Sequence, residues 1–207
     1  MISLFIDTSL ENVSICIVKD DKLLSSVNKC IPNMHSVYVT KFVKDVLDEA
    51  GIDANDIDNI MVVNGPGSFT GLRIGVTIAK TYGYLIKKNI TPVSSLKILA
   101  ISSNQKKPIM SIIKANKSHY YAGIYDENLN TIYNEEFMDS EKINTLIKKY
   151  DPYIVGVNND IINGNKVNKV ELDLLKIVDY YLDKEKVNHH KIVPNYLKLP
   201  QALEDKK

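Results

Sequence analysis

From its first residue the chain shows short β-branched runs broken by polar turns, and the apolar positions then switch to a helical spacing. ISLFID (2–7), NVSICIVKD (12–20) and KLLSSVNK (22–29) predict three strands in an antiparallel meander. Val37, Val39, Phe42, Val43, Val46, Leu47 and Ala50 then fall on one helical face, and Gly51 is a stop signal. NIMVVN (59–64) predicts a short buried strand, and TGLRIGVTIAKTYGYLIKK (70–88) a second helix. The order is β-β-β-α-β-α.

A weaker copy of that order follows. PIMSIIKA (108–115), HYYAGIYD (119–126) and NTIYNEEF (130–137) read as strands, SEKINTLIKKY (140–150) as a helix opened by Ser140, and PYIVGVN (152–158) as a strand. The halves share little sequence, so the repeat is one of architecture. Tandem β-β-β-α-β-α units are the layout of the α/β actin-like fold (ASKHA, ribonuclease-H-like), here with the second half shortened. The expected division is an N-terminal subdomain, 1–100, carrying a helical interface, and a shortened C-terminal subdomain, 101–207. Within the latter, NNDIINGNKVNK (158–169) reads as loop, VELDLLKIVDYYL (170–182) as helix and QALEDKK (201–207) as a polar tail.

Between the strand at 59–64 and the second helix lies the glycine-rich stretch VVNGPGSFTGLRIG (62–75). A P-loop needs a Lys after its last glycine, and none stands here. Gly65, Gly67 and Gly71 approximate a dinucleotide fingerprint, but no Asp or Glu occurs from residue 59 to 125 to hold a ribose. A nucleophile elbow requires G-x-S-x-G, whereas Ser68 has Pro66 and Thr70 at those offsets. Ser68 or Thr70 is more simply a helix N-cap. Around the helix itself, Ile74, Leu85, Ile78, Gly71, Tyr82, Gly75, Ile86, Ala79, Leu72, Gly83 and Val76 fill an apolar arc of roughly 200°. One sheet covers a stripe only somewhat wider than about 100°, so cover on two sides is expected. Gly71, Gly75, Ala79 and Gly83 form a ridge of small residues that suits a close helix crossing, inside the molecule or against a partner.

The net charge of +1 gives no overall electrostatic footprint for nucleic acid, so any link to RNA is expected to be local or indirect. No apolar run reaches the length of a membrane span, MISLFIDTS does not read as a signal peptide, and Cys16 and Cys30 have no metal-type spacing. These features predict a cytoplasmic protein.

IDTS (6–9), HS (35–36), NGPGSFTGLRIG (64–75) and PNYLK (194–198) resemble the TsaB (YeaZ) family, the bacterial partner of TsaD in making threonylcarbamoyladenosine (t6A) beside the tRNA anticodon. The GPGSFTGLRIG block is highly specific. The resemblance runs over essentially the whole chain and is best through residue 100. It implies an actin-like scaffold without catalytic residues, a homodimer when alone, and a heterodimer with TsaD through the same helices. It further implies TsaE as a third subunit, tRNA reached indirectly, and no cofactor of its own, with ATP or ADP only at the complex interface or in partner subunits. Joined to the helical arc, it places the partner interface at His35, Tyr38, Phe42, Gly71, Leu72, Gly75, Val76, Ala79, Tyr82 and Gly83. The family loop falls at Asp7, Thr8, Ser9, Gly65, Pro66, Gly67, Ser68, Phe69, Thr70 and Arg73.

The competing reading is an actin-like ATP-dependent phosphotransferase using Asp7, or a glycoprotease-like peptidase. Against it, IIKANKSH (112–119) carries Lys114, Ala115, Asn116 and Lys117 where a second acid and a glycine would be needed, and where TsaB relatives commonly show an Asp-Ala-Arg-like turn. The H-x-x-x-H metal pair of TsaD-type proteins is also missing, because Val39 follows His35 at that offset. His119 falls on a strand, and His189 and His190 have no evident third ligand. No metal is expected.

Overall fold

The computed structural model describes residues 1–31 and 35–198, except for the side chains of 35–37. In chain order the elements are β1 (Ile2–Asp7), β2 (Asn12–Lys19), β3 (Lys22–Cys30), α1 (His35–Ala50), β4 (Asn59–Gly65), α2 (Phe69–Leu85), β5 (Ile90–Ser94) and α3 (Ser95–Ser103). They continue as β6 (Ile109–Lys114), β7 (His119–Tyr125), β8 (Thr131–Asp139), α4 (Ser140–Tyr150), β9 (Tyr153–Gly156), β10 (Asp160–Ile162), β11 (Asn165–Lys169) and α5 (Leu174–Tyr181). The strands form two sheets of one plan, ordered β3-β2-β1-β4-β5 and β10-β11-β9-β6-β7-β8. In each, an antiparallel meander of three strands continues through a parallel neighbour, β4 beside β1 and β9 beside β6. This is the tandem layout expected from the sequence.

In the first unit, Leu4, Ile6, Val13, Ile15, Ile17, Ile60 and Val62 alternate onto one face of the sheet and meet Val39, Val43, Val46, Val76 and Ala79 from α1 and α2. Gly51 ends α1 at φ 63°, a conformation that glycine adopts without a Cβ penalty. α5 packs on β2 and β3. In the second unit, Ile143 and Leu146 of α4 close over Met110, Ala122, Ile124 and Ile154, while α3 packs on β6, β7 and β9. No helix among the described residues is long and apolar enough to cross a membrane.

Several sequence expectations change. The compact units are Met1–Ser94 with Leu174–Asn195, and Ser95–Asp173 with the described residues that follow Asn195, so the chain crosses between units three times where one division at residue 100 was expected. The return is held by Ile90 and Val187, which exchange backbone hydrogen bonds of 2.9 and 2.8 Å. β5 and α3 lie where the periodicity marked nothing: Pro92 weakens the strand signal but is tolerated in this five-residue strand at the sheet edge, and α3 is apolar without a polar face. The stretch 158–169 contains the hairpin β10–β11 rather than only loop. Its two-residue turn, Asn163–Gly164, has positive φ at both positions (49° and 81°), as a type I′ turn requires. The cap of α4 is Asp139, whose side chain accepts from Lys142 N at 2.8 Å, and Ser140 is the first helical residue.

Cys16 is fully buried in β2, whereas Cys30 is exposed at the end of β3. Burial pushes the Cys16 thiol up from 9.0 to about 12. Between these values the unfolded chain releases the proton and the native chain keeps it. Stability is therefore full below pH 9, and this contribution is lost by about pH 12. Urea unfolding between pH 9 and about 11 should show a pH slope steeper in the wild type than in Cys16→Ala, by up to about 1.4 kcal/mol per pH unit. Iodoacetamide should label Cys30 and spare Cys16 in the native protein. Equal slopes, or rapid labelling of Cys16, would contradict the assignment.

Candidate partner interface

The glycine-rich stretch is shaped by what crosses it. β1 ends at Asp7, and the turn that follows lies directly on the start of α2. Ser68 N donates to Ser9 O at 2.7 Å, and Thr8 Oγ1 donates to Gly71 O at 2.7 Å. Any Cβ on this face would collide with that turn: on Gly67, 2.3 Å from Ser9 O; on Gly71, 2.0 Å from Thr8 O; on Gly75, 2.4 Å from Thr8 Oγ1. Gly65, at φ 139°, faces Asn195 O, which a Cβ would approach to 2.3 Å. Ser68 caps the helix by accepting from Gly71 N at 3.3 Å.

The ridge of small residues is therefore an internal contact, which corrects the expected interface. Gly71, Leu72, Gly75, Val76, Ala79 and Gly83 are buried, as is Phe42. Gly83 is enclosed by His189 and Lys88, its Cβ position lying 2.9 Å from His189 Cβ and 3.0 Å from Lys88 O. His35 opens α1, with its side chain outside the described residues. Tyr38 and Tyr82 are half-buried at the margin of the core.

The other half of the arc stays partly open. Ile74, Ile78, Tyr82 and Ile86, spaced by four, form a partly buried stripe along α2, with Tyr38 of α1 at the edge of the same core. Tyr38 stacks on Phe42 with ring centroids 5.9 Å apart, and burial raises the Tyr82 phenol above its ordinary range. Past the stripe, Tyr84 and Leu85 are 63% and 66% exposed. Ile74 and Ile78 are the interface candidates missed when the small residues were chosen. Their signal was the width of the arc.

The turn at the start of the family loop is tightly packed. Asp7, Thr8 and Ser9 are at most 1% exposed, and an Asp7 carboxylate oxygen accepts from Ser9 N at 2.8 Å. Pro66 is buried, Thr70 is exposed, and the Arg73 guanidinium lies 4.0 Å from the centre of the Phe69 ring. Among the described residues, no three His, Cys, Asp or Glu side chains converge as a metal cluster would require.

These contacts set the cost of filling the ridge. Gly71→Ala should cost about 1–3 kcal/mol or more, and Gly75→Arg should unfold the first unit, because each new side chain meets the Thr8 turn. Thr77→Arg, on the exposed side of α2, should stay within about 0.5 kcal/mol of the wild type. Urea titration followed by circular dichroism would decide the matter, and a native-like Gly75→Arg would return the ridge to the surface.

Residues 29–179 match the family profile of TsaD, tRNA N6-adenosine threonylcarbamoyltransferase. The tRNA threonylcarbamoyladenosine biosynthesis protein TsaB of Bacillus subtilis (strain 168) is 34% identical over 126 residues, which are 60% of this chain and 55% of that protein. This match spans little more than half the length of the relative. TsaB of Buchnera aphidicola subsp. Schizaphis graminum is 33% identical over 150 residues, covering 71% of this chain and 69% of that protein. YeaZ from Pseudomonas aeruginosa superposes with a TM-score of 0.79 at 23% identity, over 94% of this chain and 99% of that structure, and so shares the fold. With a TsaD-type profile over most of its length and this TsaB similarity, the chain belongs to the TsaB (YeaZ) family.

Proposed function

We propose that this protein is a non-catalytic scaffold subunit in the synthesis of threonylcarbamoyladenosine at adenosine 37 of tRNA, binding and stabilising TsaD. The observation that carries the reading is the partly buried apolar stripe Ile74, Ile78, Tyr82 and Ile86 beside Tyr38, continued by the exposed Tyr84 and Leu85. Apolar surface on two neighbouring helices is unfavourable in water and is relieved by a partner that covers it. A second copy of the chain does so by two-fold symmetry, and TsaD does so in the heterodimer. The two assemblies compete, because one patch cannot be buried twice. TsaE joins as a third subunit, tRNA is reached through the complex, and the setting is cytoplasmic. In this reading the chain carries no cofactor of its own, and ATP or ADP belongs to the partners or to their shared interface. The burial of Asp7 in its own turn supports a scaffold over an ATP-dependent phosphotransferase.

Replacing Ile74 and Ile78 together by Lys tests this, since both side chains lie at the margin of the core, where a lysine stem can keep the apolar contact and hold its ammonium in water. Self-association by sedimentation and TsaD binding by calorimetry should each weaken about thirtyfold or more. The circular dichroism spectrum should be retained, and threonylcarbamoyladenosine formation in a reconstituted reaction should fall in parallel with binding. Pairing unchanged by the double substitution would remove the proposed interface. Loss of modification at undiminished TsaD binding would point to catalysis by this chain instead.

A further inference from the structure

We propose that the second unit holds a binding site for a small zwitterion of the amino-acid type at the carboxyl ends of β6 and β9. These two parallel strands lie side by side, and the chain leaves them in opposite directions, toward β7 from one and toward β10 and β11 from the other. Open α/β sheets bind ligands at such a switch point, outside the carboxyl ends of the strands. A pocket of about 70 Å³ opens there. Ile112, Tyr120 and Ile162 give it an apolar floor, and Lys114, Asn158 and Asp160 contribute polar groups. Gly156 keeps it open at one side, since a Cβ there would lie 2.8 Å from Val167 Cγ1 and 3.1 Å from Ile112 O.

The charges decide the ligand class. Lys114 Nζ and Asp160 Oδ2 are 3.8 Å apart, a separation beyond a hydrogen bond, and both side chains are about half exposed. Such a pair contributes little to the fold. Ile161 N donates to Asp160 Oδ1 at 2.8 Å, which orients the carboxylate and leaves Oδ2 toward Lys114. A ligand carboxylate on Lys114 and a ligand ammonium on Asp160 would replace one loose pair by two charge-assisted hydrogen bonds. A simple anion would meet the negative charge of Asp160, and a simple cation that of Lys114. The site therefore favours a molecule with an ammonium and a carboxylate on the same carbon, and a small side chain for the apolar floor.

The test uses the full chain, isotope-labelled, titrated with L-alanine, acetate or methylammonium while backbone amide shifts are followed. Alanine should shift the amides of residues 112–114 and 156–162 saturably, with a Kd on the order of 1 mM. Acetate and methylammonium should bind at least about tenfold more weakly, and Lys114→Met and Asp160→Asn should each weaken alanine by at least about tenfold. Unchanged shifts away from the pocket would certify that both surface variants are folded. The Lys114→Asp, Asp160→Lys exchange should recover part of the affinity, because it restores the charge pair. No saturable shift with alanine, acetate binding as tightly as alanine, or alanine binding to Lys114→Met as to the wild type would each overturn the proposal.

Discussion

The crossing of the β1–β2 turn over the start of α2 sets the rest of the first unit. The backbone oxygens of Thr8 and Ser9 and the Thr8 hydroxyl stand where side chains at 67, 71 and 75 would otherwise be, so those three positions must be glycine. With no side chains between them, helix and turn approach closely enough for Thr8 to donate to the Gly71 carbonyl and for Ser68 N to reach Ser9. Once this face of the helix is fixed inward, its rotation about its own axis is fixed as well. Val76 and Ala79 then fall on the core, while Ile74, Ile78 and Tyr82 come to its margin. The partly buried stripe is a consequence of the glycine contact.

The first unit is completed from the far end of the chain. Val187 pairs with Ile90 at the β5 edge, Asn64 Nδ2 donates to Val193 O at 3.0 Å, and Asn195 N donates to Asn64 O at 2.6 Å. Asn195 also lies where a side chain on Gly65 would be. Closing contacts over about a hundred residues or more adds only slowly to the entropic cost, which makes such a return thermodynamically tolerable. It also holds the exit of β4, and hence the start of the glycine loop, from its second side.

The sequence carried the strand meanders, both long helices of the first unit and the repeat, because the strands are β-rich runs bounded by polar turns and the helices keep an apolar spacing of about 3.6 residues. It did not carry β5, whose proline conflicts with strand propensity until its edge position is known. The hairpin at 160–169 was missed although Asn163–Gly164 marks its turn, since its strands are short and mostly polar. For the interface, the width of the α2 arc was legible and its orientation was not. Small residues signal close approach without saying whether a helix or a backbone turn approaches. Here it is a turn separated from Gly71 by more than sixty residues, a long-range contact that no local pattern encodes.

The two sheets use one topology to opposite effect at the carboxyl ends of their paired parallel strands. Beyond β1 and β4 the chain fills the crevice with itself: Ser9 lies against Gly67, and α2 begins at once after Ser68. Beyond β6 and β9 no helix follows. The hairpin β10–β11 turns away instead, and β11 pairs with β9 at Asn168 and Lys169. The departing hairpin leaves Gly156 and Asn158 at the strand ends and brings Asp160 opposite Lys114. A shortened second half thus keeps open, with two opposite charges at its rim, the position that the first half closes with backbone. The missing helix that shortens the actin-like second half leaves the pocket open.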